Sequence, residues 1–254
     1  MKKLTSLVFS LLALSMLWVQ PAAAQDAPKW NPVEFFGCYW RDGKSMQDLD
    51  KVADKFRQYA EDNDSLYSAW TITPQFHNSP DMFDVGWLGA WPNSKAFGES
   101  QENWMAKGRK LAAEFNAVVD CSGRHEVALS VPINAPEGPP GDGVLMFYAC
   151  TLNDGKTMED AYAAHLKSGK KMKARGSQAV SWLFYPAMGA GDIDFDYYHV
   201  VGFYRWAELG STMEMYVNEG GMQEAAELIG GAASCSSPTV FDAQQVRAPL
   251  HQHP

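Results

Sequence analysis

Two short apolar runs, Val33 to Trp40 and Val144 to Leu152, are rich in β-formers, and each gives way to turn chemistry at Asp42-Gly43 and Asp154-Gly155. After each turn the spacing becomes helical. Met46, Leu49, Val52, Ala53, Phe56 and Tyr59 keep a helical period, as do Met158, Ala161, Tyr162, His165, Leu166 and Met172. Ser45 and Thr157, each with an acid three residues on at Asp48 and Asp160, stand where helix N-caps belong. Two strands are then expected in each half, over about 66–73 and 83–90, and over 179–185 and 197–206. Alternation on the last of these puts Tyr197, His199, Val201, Phe203 and Arg205 on one face, and Tyr198, Val200, Tyr204 and Trp206 on the other. A second helical stretch covers 101–118 and, interrupted at Gly220-Gly221, 211–229; final strands open at Cys121 and Cys235.

The halves repeat each other in sequence. Cys38 through Asp48 is answered by Cys150 through Asp160, and Trp70 and Pro74 by Trp182 and Pro186, all at an offset of 112 residues. Val85-Gly86-Trp87, Trp91 and Cys121-Ser122 recur with slight drift as Val201-Gly202-Phe203, Trp206 and Cys235-Ser236. Residues 132–143 between them are rich in Pro and Gly and read as a linker. The expected fold is therefore α+β: two tandem ferredoxin-like βαββαβ repeats, 25–131 and 144–246, packed sheet to sheet as a single-chain dimeric α+β barrel, with a tail over 247–254.

This order of elements resembles the dimeric α+β barrel superfamily in its fused form, as in chlorite dismutases and dye-decolourising peroxidases. Single-copy relatives include antibiotic-biosynthesis monooxygenases and EthD-like proteins. The resemblance spans residues 33–246 and lies in element order, without a functional motif of any one member. It implies one cofactor alternative, haem, because fused relatives include haem enzymes whose iron ligand is a histidine of the C-terminal copy, where His165 and His199 stand. From the residues themselves no cofactor is expected.

Upstream of the repeats, Lys2 and Lys3 precede an apolar run from Leu4 to Val19, and small residues end at Ala24, the pattern of a signal peptide over 1–24. Export to the periplasm or the extracellular space follows, with no membrane association after cleavage. Of 21 Lys+Arg and 30 Asp+Glu, loss of Lys2 and Lys3 leaves 19 against 30, a formal charge of −11. Without a basic cluster, that excludes nucleic acid as a partner. Four cysteines in an exported chain suit disulfides. First and fourth strands of a split-βαβ sheet are antiparallel neighbours, so Cys38 is expected to pair with Cys121, and Cys150 with Cys235. No CxxC spacing supports a metal site.

Candidate chemistry concentrates in the second half, where histidines stand on an otherwise apolar frame. His165, His199 and Arg205 are the candidate catalytic residues, His165 as proton acceptor or ligand and Arg205 for an anionic group. Tyr162, Trp182, Tyr197 and Tyr204 are candidate ligand contacts. The competing reading makes both histidines hydrogen-bonded core residues. Asp-Gly-Lys-[Ser/Thr] lacks the upstream glycine of a phosphate loop, and a turn with a helix cap accounts for it. The expected function is an exported small-molecule-binding protein. The alternative is a small-molecule enzyme, acid–base or oxidoreductase, with its site in the second repeat. Neither reading fixes whether the chain is a monomer or a homo-oligomer.

Overall fold

The first apolar run forms β1 (Asn31–Trp40), and the helical spacing after it forms α1 (Met46–Asp62), in a computed structural model that describes residues 29–79, 82–138 and 140–249. The expected signal peptide and residues 250–254 of the tail lie outside the described residues. Gly43 and Gly155 take φ of 69° and 71°, the left-handed conformation that lets each strand turn sharply into its helix. α1 turns Leu49, Val52, Ala53, Phe56 and Ala60 inward. Its counterpart α4 (Met158–Ala174) starts at a full capping box. Asp160 donates its backbone N–H to the Thr157 hydroxyl, and the Thr157 N–H reaches the Asp160 carboxylate at 3.0 Å.

The remaining elements are β2 (Ser68–Phe76), β3 (Val85–Ala90), α2 (Ser94–Lys107), α3 (Arg109–Asn116) and β4 (Val119–Asn134) in the first half. The second half has β5 (Gly143–Leu152), α4, β6 (Val180–Met188), β7 (Tyr197–Phe203), α5 (Trp206–Asn218), α6 (Gly221–Ile229), β8 (Ala233–Cys235) and β9 (Thr239–Arg247). Several boundaries differ from expectation, three of them for a visible reason. α2 begins at Ser94 rather than at 101, because the Asn93 side chain accepts from the Ala96 N–H at 2.8 Å and caps the helix there. β7 stops at Phe203, since Glu208 turns back to accept from the Tyr204 N–H at 3.1 Å and starts α5 early. β4 continues through Pro132, Ile133 and Asn134 against β6, so the crossing between halves is 135–142 rather than 132–143.

The expectation of two ferredoxin-like repeats packed sheet to sheet is overturned by the strand pairing. The strands run β7-β6-β4-β1-β3-β2-β9-β5, and β5 pairs back to β7, so all eight close into one antiparallel barrel, with six helices among the described residues. The short β8 extends the β9 side of β5. Two stacked four-stranded sheets would leave four strand edges unpaired. Joining β2 to β9 and β4 to β6 removes every one of them.

Val33 and Phe35 of β1 point into the barrel, where Val33 packs with Ile72, Phe83, Leu88, Phe184, Val200 and Phe241. Phe36, Cys38 and Trp40 face the helices. Disulfides join Cys38 to Cys121 and Cys150 to Cys235, so each bond stays within one half and ties its opening strand to an antiparallel strand beside it. Among the described residues no helix is long and apolar enough to cross a membrane.

Candidate functional site

α4 and β7 bring three of the candidate residues together. The His165 and His199 rings lie 4.3 Å apart, and His165 Nε2 is 2.9 Å from the Tyr197 hydroxyl. His165 is 2 % exposed and Tyr197 fully buried, and Tyr148 stacks beyond His199. Burial pushes the His165 imidazole down to about 4, and burial with His165 alongside pushes His199 well below the usual histidine range. Both are therefore neutral rings at pH 7.

The other candidates stand apart. Arg205 is exposed and donates to Glu208 at 2.8 Å at the start of α5. The Tyr204 hydroxyl reaches the Gly138 carbonyl in the crossing segment, the Tyr162 hydroxyl reaches the Pro132 carbonyl, and Trp182 packs inside the barrel.

Haem does not fit at His165. An axial histidine needs a nitrogen facing room for the macrocycle. Here Tyr197 holds Nε2, His199 covers the ring, and Nδ1, although without a hydrogen-bond partner, is buried, with both sulfurs of the Cys150–Cys235 bond within 4.8 Å of a ring nitrogen. That same group cannot hold a metal as thiolates, because its sulfurs are bonded to each other.

In the first half the corresponding layer is open. Glu34, Phe36 and Cys38 of β1 face α1, while α2 and α3 bring Trp104 and Phe115 over the barrel wall. Rigid rings meet edge to face here. Phe56 contacts Trp87 at 5.3 Å and 89°, and Tyr59 contacts Trp104 at 5.4 Å and 84°. Between helices and wall they leave a cavity of about 380 Å³, with Ser100, Gln101 and the exposed Met105 among its lining residues. Tyr67 reaches it only because residue 89 is glycine, since a Cβ there would sit 1.8 Å from the Tyr67 hydroxyl.

A polar chain runs through this apolar wall. Trp87 Nε1 donates to the Tyr67 hydroxyl at 2.8 Å, and that hydroxyl donates to Glu34 Oε1 at 2.6 Å. Burial, the Glu34 charge and the hydrogen bond to it raise the Tyr67 phenol well above its ordinary pKa, so it stays a donor. The other Glu34 oxygen is 3.3 Å from His125 Nε2, and the half-exposed His125 ring stacks on Phe36 at 3.8 Å. Glu34 itself is 7 % exposed. Among the described residues neither a lysine nor an arginine lines the cavity.

A smaller cavity of about 230 Å³ occupies the barrel interior. Arg124 lies over the Phe35 ring there at 4.8 Å and donates to Glu126 at 2.8 Å and to the Tyr198 hydroxyl at 3.1 Å.

Sequence reasoning places its candidate residues mostly in the second half, whereas this cavity lies in the first. The available signal is the aromatic difference between halves: Phe56 and Tyr59 correspond, at the offset of 112, to Ser168 and Lys171, and Glu34 corresponds to Met146.

No protein-family model and no curated protein matches the sequence. Solved structures are similar in fold. A protein assigned as a chlorite dismutase, TA0507, superposes with a TM-score of 0.53 at 10% identity, covering 87% of this chain and 96% of that one. A protein assigned as a monooxygenase from Lactobacillus acidophilus NCFM gives 0.53 at 10% identity over 88% and 97%. A mutant chlorite dismutase from Candidatus Nitrospira defluvii in complex with cyanide gives 0.51 at 9% identity over 85% and 91%. The chain thus has a chlorite dismutase-like α+β barrel fold.

Proposed function

We propose that this is an exported protein that binds a small, largely aromatic or apolar molecule in the cavity of its first half. The observation that carries the reading is the cavity of about 380 Å³ walled by rigid rings, with a hydrogen-bonded carboxylate at 7 % exposure in its wall. Its size and lining suit a small ligand, many apolar contacts with a few fixed polar groups to orient it. Two intramolecular disulfides suit an oxidising compartment. The second half lacks this combination at the histidine cluster, where His165 is packed against Tyr197 and the disulfide.

The test is a native mass spectrometry screen of small aromatic compounds, followed by titration of tryptophan fluorescence. Trp104→Ala should weaken a hit by about tenfold or more, the loss of one large aromatic contact, while His199→Phe leaves it unchanged. The opposite pattern would move the site to the second half and end this reading.

One observation favours a second reading, an acid–base enzyme. His125 sits against the Glu34 carboxylate at the cavity, an arrangement in which an acid orients an imidazole as proton acceptor. The fold neighbours include a chlorite dismutase and a protein assigned as a monooxygenase, so the scaffold accommodates catalysis, although fold alone transfers no activity. For a substrate that binds, His125→Ala should then abolish turnover with little change in affinity.

A further inference from the structure

We infer that the occupant of the first-half cavity is an organic cation, a protonated amine or quaternary ammonium carried on an apolar or aromatic body. This rests on the reading that the cavity binds a small molecule and adds the charge of that molecule. The cavity combines one carboxylate, Glu34, with the aromatic rings of Phe56, Tyr59, Trp87 and Trp104. Its polar chain donates to Glu34 through a neutral phenol, which solvates the charge without cancelling it. The basic side chain in contact with the Glu34 carboxylate is His125, at 3.3 Å and 51% exposed, whereas the Glu34 side chain is 9% exposed. Removing a carboxylate from water is costly unless a partner compensates it. Here no lysine or arginine among the described lining residues does so.

Aromatic rings act in the same direction as the acid. Their faces carry negative potential and attract a cation held within about 6 Å, most strongly for tryptophan. An anion would meet both the carboxylate and the ring faces, and a neutral molecule would gain only apolar contact. The cavity therefore selects for positive charge. The Arg124, Glu126 and Tyr198 group inside the barrel has no such bias, because its cation and acid already pair with each other.

The experiment titrates the purified protein with benzyltrimethylammonium and with neopentylbenzene, its neutral isostere, reading tryptophan fluorescence and calorimetric heat. The expected result is that the cation binds about tenfold or more tighter than the isostere, and that Glu34→Gln brings the ratio to within about threefold. Gln keeps an acceptor for Tyr67, and if that variant fails to fold, the wild-type ratio alone decides. Equal or tighter binding of neopentylbenzene overturns the cation assignment while leaving the cavity a binding site. Binding of neither probe at millimolar concentration overturns both.

Discussion

At the scale of single residues, His165 and Glu34 are buried polar groups with opposite consequences. His165 is neutral, with the Tyr197 hydroxyl as the partner of Nε2 and Nδ1 buried without one. Its pKa lies near 4 in the folded chain against an ordinary 6.5, lowered by burial. Between those values the unfolded chain binds the proton and the folded one does not. Stability from this residue is thus complete above about pH 6.5 and is lost as pH falls toward 4. The full loss is on the order of 3 kcal/mol, at 1.36 kcal/mol per unit, and His199 acts in the same direction. His165→Gln keeps a partner for Tyr197 and removes the titration, so melting temperature measured from pH 7 to pH 4.5 should fall less steeply in the variant. Equal slopes would reject this account.

At the scale of elements, the disulfides fasten strands that are far apart in the chain. Cys38 and Cys121 are 83 residues apart, and both lie beside the aromatic cavity. In the chain-entropy view, closing a loop of that length stabilises by up to roughly 4.5 kcal/mol. Cys38→Ser with Cys121→Ser should lower the urea midpoint strongly and weaken ligand binding. A change below about 1 kcal/mol would mean that β1, β3 and β4 hold the cavity without the bond. The order of strands and helices is legible in the sequence, because each exposes a continuous apolar face at its own period. The start of α2 is less so, since its first turn, Ser94 to Phe97, reads as loop until Asn93 is recognised as its cap. The cavity is hidden for a different reason. A lone Glu34 between apolar neighbours looks like a surface position, and only the pairing of β1 with β3 and β4 shows that it is covered. The histidines point to the second half, while the aromatic difference between Phe56 and Ser168 points to the first.

At the scale of the molecule, barrel closure is the property that local pattern does not encode. Alternation tells which face of a strand is buried, and both stacked sheets and a closed barrel bury the same residues. What differs is the edges. The first half has the order β4-β1-β3-β2, so alone it would expose the hydrogen-bonding edges of β4 and β2, together with the inward face that carries Val33, Ile72 and Leu88. In the whole chain β6 and β9 occupy those edges. Helices lie across the same seams: Arg57 of α1 donates to the Val246 carbonyl of β9, and Tyr162 of α4 to the Pro132 carbonyl of β4. Each half is therefore the missing wall of the other. Residues 29–134 produced alone should elute as dimers or larger species, because open edges and a bare apolar face favour pairing with a second copy. Co-production with residues 140–249 should recover a one-to-one complex of the intact chain's size. A folded, monodisperse monomer of the first half in size-exclusion and circular dichroism measurements would mean that its sheet tolerates open edges, and closure would then add geometry to the cavity rather than stability to the fold.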